Sequence, residues 1–114
     1  MWFEMDVVQG SDYEVVFSAR DPVTSAPIDI RTGFTFIGKI CRTTDNDETP
    51  LYTFPVGDTG LLPQNGSLVV RIPGDVSDDW EFERVTFGIR VINDTDGREL
   101  MGIRGPCYVQ PTVA

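Results

Sequence analysis

The sequence contains no histidine. That removes the commonest general base and the commonest metal ligand, and it makes a Ser-His-Asp or Cys-His constellation impossible. Cysteine is scarce too, with two residues, Cys41 and Cys107. Both fall on stretches that read as strands, so buried, reduced thiols are expected, with a disulfide as the alternative. Two thiols without a histidine do not make a zinc set, so no metal or other cofactor is expected. The antibody pattern, a Trp about a dozen residues after the first Cys, is missing, because Trp80 comes far later. Gly33, Gly38, Gly57 and Gly60 lack the spacing and the following helix of a phosphate loop. No stretch nears the ~20 apolar residues of a membrane span. The opening MWFEMDVVQG has acids where a secretory leader needs basic residues, so synthesis in the cytosol is expected. Positive charge is sparse, 9 Lys and Arg against 18 Asp and Glu, for a net charge of −9. Such a surface repels phosphate backbones and argues against a nucleic-acid partner.

What is present is alternation. In Arg84–Val109, Val85, Phe87, Ile89 and Val91 point one way in an extended chain, and Thr86, Gly88 and Arg90 the other. That period of two marks a half-buried strand. Asp94-Thr95-Asp96-Gly97 supplies a turn, and Leu100, Met101 and Ile103 begin a return arm. The arm is expected to bend or change partner at Gly105-Pro106. This hairpin reads as the central pair of a sheet. Further strands are expected at Trp2–Val8, Tyr13–Ala19, Phe34–Arg42, Leu51–Val56 and Ser67–Ile72. Gly38 signals a bulge or a close neighbouring backbone, and Pro55 puts its strand at an edge or marks the strand's end. Thr43–Pro50 and Gly57–Gly66 read as surface loops, and Pro73–Trp80 as one helical turn with Ser77 as N-cap. No segment holds a helical period, and there is no internal repeat. Seven to eight short strands in one domain spanning 1–114 predict an all-β antiparallel sandwich, immunoglobulin-like or jelly-roll-like. Val15, Phe17, Phe36, Ile40, Leu68, Val70, Phe87 and Ile89 form the expected core.

Chemistry is harder to find. Asp94-Thr95-Asp96-Gly97 resembles part of a calcium loop, but the twelfth position counted from Asp94 is Gly105 where a Glu is required. Asp45-Asn46-Asp47-Glu48 reads as a solvated acidic loop. Acids abundant enough for a two-carboxylate glycosidase are present, yet a domain this small has little room for a walled cleft, so no enzyme is expected. Trp2, Tyr52, Trp80 and Tyr108 are the aromatics that a sugar-stacking platform would use, and core and rim packing is the simpler use for them.

The segment Gln9–Arg42, QGSDYEVVFSARDPVTSAPIDIRTGFTFIGKICR, resembles the opening of small phage tail and baseplate β-sandwich domains of the baseplate upper-protein N-terminal type. The matching positions are Gly10, Asp12, Val15, Phe17, Asp21, Pro27, Asp29, Ile30, Gly33, Phe36, Ile40 and Arg42. Gly66–Pro73, the strand at Val85–Val91 and Gly102, Gly105 and Pro106 continue the likeness, and Asp79–Phe82 departs from it. The resemblance implies a virion structural protein, made in the bacterial cytoplasm and docking on other tail or baseplate proteins or on further copies of itself. It carries no catalytic residues. Trp2, Phe3 and Trp80 are the candidate interface residues. A carbohydrate-binding module is the alternative, and it requires a planar set of exposed aromatics.

Overall fold

The computed structural model describes residues 1–42, 50–81 and 84–111. The acidic loop expected around Asp45 lies outside them, as does Phe82 of the departing segment. Eight strands form: β1 Met5–Val8, β2 Tyr13–Ser18, β3 Phe34–Cys41, β4 Tyr52–Thr53, β5 Leu61–Gln64, β6 Ser67–Ile72, β7 Arg84–Asn93 and β8 Glu99–Gln110. One helical turn, α1 (Gly74–Ser77), precedes β7. The strands make a sandwich of a five-stranded large sheet, ordered β1-β8-β7-β3-β4, and a three-stranded small sheet, ordered β2-β6-β5. Every ladder is antiparallel except the parallel pair β1 and β8. Strands β2, β6, β5 and β8, β7, β3, β4 follow the B, E, D and G, F, C, C′ arrangement of an immunoglobulin variable-type sandwich. The first strand lies parallel beside the last strand and leaves β2 at an open edge. Neither β2 nor β7 carries the disulfide cysteine of antibody domains; Phe17 and Phe87 are buried on those strands instead.

Burial follows the alternation. Met5 and Val7 of β1, Phe17 of β2, Ile40 of β3, Val85, Phe87, Ile89 and Val91 of β7, and Leu68, Val70 and Ile72 of β6 belong to one core. Val15 and Phe36, expected inside, are half-buried and pack against it. Phe3 meets Phe17 edge to face at 5.0 Å, which ties the first residues of the chain to the small sheet.

The hairpin β7–β8 sits inside the large sheet as expected, but Gly105-Pro106 does not break it. Strand β8 stays paired with β7 through Phe87↔Gly105 and Thr86↔Pro106, and gains β1 on its other side. The interruption falls on the partner instead. Arg104 donates its N–H to Met1 O and accepts from Phe3 N, so the even-numbered backbone groups of this part of β8 face the N-terminal segment. Pro106 is the next of these and has no N–H to give. The N-terminal segment therefore bridges at Trp2↔Arg104 and resumes only at Met5↔Cys107. Gly105 is needed here because a Cβ on it would sit 1.9 Å from Phe3 O. The register shift lies elsewhere, between Val91 and Ile92, where Leu100 is the extra residue opposite.

Four other expectations change. Gly57–Gly66 contains β5, a strand the Gly and Pro content concealed. Arg71 N donates to Gly60 O, so odd-numbered residues of β6 bond to even-numbered residues of β5. Pro63 then turns its nitrogen to the open edge and costs the ladder nothing. Gly38 marks neither a bulge nor a close backbone: its ladder is regular, and a Cβ would lie 3.0 Å from side-chain carbons of Leu61 and Phe54. Ser77 ends α1 rather than capping its start. Its hydroxyl accepts from Gly10 N at 3.1 Å, and the Asp12 carboxylate takes Gly74 N at 2.7 Å, so the β1–β2 turn caps the helical turn. Cys41 is half-buried where burial was expected, because it points to the outer face of the large sheet. Cys107 is fully buried on the inner face, and both thiols are free. Side chains on opposite faces of one sheet cannot bridge.

Candidate functional site

The acidic motifs serve the backbone. In the β7–β8 turn, Asn93 Oδ1 accepts from Thr95 N at 2.9 Å and Asp96 Oδ1 from Arg98 N at 2.8 Å. Asp94 takes the Thr35 hydroxyl, and Gly97 has φ 71°, the left-handed conformation a tight reversal demands. Before β3, Asp21 Oδ1 accepts from Val23 and Thr24 backbone N–H, which lowers its pKa below the usual carboxylate value. Asp29 holds Arg31 in a two-point pair at 2.8 and 2.7 Å, and that bond brings its pKa down to about 2. Among the described residues, no group of three or more His, Cys, Asp or Glu is placed to hold a metal. No helix in them is long and apolar enough to cross a membrane.

A groove of about 300 Å³ is lined by Asp12, Tyr13, Glu14, Asp58, Thr59, Arg71, Ile72 and Pro73. Among the described residues, three of its four charged side chains have structural partners. Arg71 reaches Glu14 at 3.5 Å and donates to Asp58 O at 3.2 Å, while Asp12 caps α1.

The four aromatics do not form an exposed row. Tyr52 packs on Phe54 and on Trp80, with ring centres 5.2 and 5.4 Å apart, and both Tyr52 and Trp80 are half-buried against the core. Tyr108 lies under the Arg84 guanidinium at 5.6 Å. Of the candidate interface residues, Phe3 is half-buried beneath Phe17, Trp80 is half-buried, and Trp2 is 69% exposed.

Trp2 stands at one end of a row that crosses the whole large sheet. Residues directly opposite on paired strands share a face. Trp2 bridges Arg104, Arg104 faces Gly88, Gly88 faces Lys39, and Lys39 faces Thr53. The next row carries Gly102, Arg90 and the exposed Ile37. Strand alternation turns all of these side chains outward, because Phe87, Ile89, Ile40 and Ile103 occupy the inner face. Arg90 is paired with Glu99 at 2.9 Å. Among the described residues, Lys39 and Arg104 have no ion pair. A Cβ on Gly88 would meet nothing within 4 Å, so none of the described residues requires a glycine there. The result is a flat area with two cations flanking bare backbone, bordered by an indole, on a chain of net charge −9. Among the described residues, the Glu99 carboxylate lies over Gly102 in the second row, where it neutralises Arg90, and Glu4 and Asp6 are on the N-terminal edge of the face. Sequence reasoning marked Trp2 but missed Lys39 and Arg104. Alternation shows that each points outward; only the β3-β7-β8 pairing makes them neighbours.

No family model matches the chain, and no curated protein matches it. Among solved structures it is similar to NK cell receptor Nkp44, described as a triggering partner in natural cytotoxicity. That likeness has 13% identity over 94% of this chain and 96% of that one, with a TM-score of 0.49. It is also similar to a chain from a study of multimeric cell-adhesive interactions of VGSC beta subunits. There the identity is 11% over 97% of this chain and 92% of that one, with a TM-score of 0.42. Neither likeness bears on what this chain binds.

Proposed function

We propose that this domain is a non-catalytic protein-binding module of a phage or prophage particle, seated in the tail or baseplate. It meets a neighbouring virion subunit through the outer face of the large sheet. The observation that carries the binding role is the row Trp2, Arg104, Gly88, Lys39, which places an exposed indole and two cations without an ion pair among the described residues on one sheet face of an acidic protein. Trp and Arg dominate the energetics of protein interfaces, and opposite charge selects and steers the partner. The partner is therefore an acidic protein surface with an apolar centre. The placement in a virion is supported by the resemblance across Gly10–Arg42, and localisation in the particle goes with it.

The test is incorporation. Mass spectrometry of purified particles should find the protein at a copy number matching a ring or fibre set. The double variant Lys39→Glu, Arg104→Glu should fold normally by circular dichroism and be lost from the particle. Absence of the wild-type protein from particles overturns the virion placement. Wild-type incorporation of the charge-reversed variant overturns the assignment of the face.

A further inference from the structure

We propose that two copies of this chain join through the open edge of β2, antiparallel about a two-fold axis at Val16, to make one continuous sheet from their two small sheets. This is independent of the outer face of the large sheet.

The two open sheets leave four edge strands, β1, β4, β2 and β5. Exposed edge strands are templates for pairing, and proteins blunt them with short length, proline or charge. Strand β4 has two residues. Strand β5 has four, with Pro63 among them. Strand β1 has four, carries Asp6, and loses its ladder just ahead of Met5, across from Pro106. Strand β2 is different: six residues in unbroken register with β6, no proline and no lysine, and its one charged residue, Glu14, is paired with Arg71 at 3.5 Å. Strand β1 lies beside β8 in the other sheet and leaves this edge uncovered.

The backbone of β2 is correctly aimed. Ala19 N donates to Gly66 O in the continuation of the β2–β6 register, so the odd-numbered residues of β2 bond to β6. Glu14, Val16 and Ser18 then direct their N–H and C=O groups to the open edge. All three residues are exposed, and Val16 is 57% exposed.

A second copy fits this edge because the strand is self-complementary. A two-fold axis at Val16 sets Val16 opposite Val16 and Glu14 opposite Ser18. Apolar side chains meet at the centre and no like charges face each other. The three residues of each copy form hydrogen-bonded pairs throughout. Such an interface closes on itself as a dimer and consumes both edges. With −9 on each chain, repulsion opposes it, so the dimer should tighten as salt rises.

Proline at Val16 separates fold from pairing. Among the described residues the Val16 N–H has no partner, so Val16→Pro leaves the β2–β6 ladder intact, yet the dimer loses two central bonds. Sedimentation velocity over a concentration series should show a wild-type dimer that strengthens with salt. It should show Val16→Pro weakened at least about tenfold, with an unchanged circular dichroism spectrum. Val16→Lys provides the same measurement if the proline variant fails to fold. In a Cys41→Ser background, Val16→Cys should cross-link as a dimer on mild oxidation. A wild-type chain that stays monomeric at every concentration overturns the proposal. So does dimerisation that survives both Val16 substitutions, or that is abolished by Lys39→Glu, Arg104→Glu, which would place the contact on the outer face instead.

Discussion

The two faces of the large sheet are written by the same strands and behave as different materials. On β7, Phe87 is 3% exposed among core side chains, while its neighbour Gly88 faces open space. On β3, Gly38 faces in and is crowded by Leu61 and Phe54; the next residue, Lys39, faces out without an ion pair among the described residues. One cysteine lies on each side: Cys107 within, Cys41 without. The inner face is fixed by packing, so its residues are answerable to stability. The outer face has little among the described residues to satisfy, and it is the face proposed above to meet a partner. If that division is right, substitutions of equal size on the two faces must give unequal results.

The largest effect belongs to Phe87. Ile40 and Gly105 flank it in the ladder, and no polar contact offsets its loss. Phe87→Ala should cost about 3–5 kcal/mol in urea unfolding, the usual penalty for emptying a buried aromatic site. A loss under about 1 kcal/mol would contradict the inner assignment.

Alkaline pH comes next. Burial, with Asp6 nearby, pushes the Cys107 thiol from its ordinary 9.0 up to about 12. The raised folded value means its contribution is intact below pH 9 and is lost as pH rises toward 12. Each unit above 9 should remove about 1.4 kcal/mol, until the folded thiol also ionises. Tyr13, raised by burial to about 12, adds to the loss above pH 10. Unfolding midpoints from pH 8 to 11, compared with Cys107→Ala, isolate the thiol. In the native state a thiol reagent should label Cys41 first and leave Cys107 until the chain opens.

Gly38→Ala is smaller. The new methyl would press on Leu61 and Phe54 at 3.0 Å, and these are side-chain carbons able to shift. About 1 kcal/mol of destabilisation is expected, the low end for overpacking, read from the same unfolding curves.

The inner face was legible in the sequence because alternation is local: Phe87, Ile89, Ile40, Leu68 and Val70 can each be placed by reading their neighbours. The outer face was not. Lys39 and Arg104 are far apart in the chain and meet only through β7. Pro63 and Pro106 misled for a related reason. A proline is tolerated or disruptive according to which side its nitrogen faces, and that depends on the ladder rather than on the residues around it. Pro63 faces an open edge and hides a strand; Pro106 faces the N-terminal segment and interrupts that segment instead of its own strand.

Gly88→Ala should have the smallest effect on the fold, and the opposite sign. The glycine adopts ordinary extended backbone, and a Cβ there would touch nothing within 4 Å. Alanine restricts the unfolded chain and is a better strand residue, so stability should rise by about 0.5–1 kcal/mol. Binding should move the other way. A side chain between Lys39 and Arg104 lifts a partner off the bare backbone, and Gly88→Glu adds a carboxylate where both cations are needed. The expected series is therefore stability held or raised through Gly88→Ala and Gly88→Glu while incorporation into particles falls from one to the next. Urea midpoints and copy number per particle, measured on the same two variants, check it. A fall in stability with Gly88→Ala would mean that this chain itself needs the glycine, and the distinction between the two faces would fail at its clearest position.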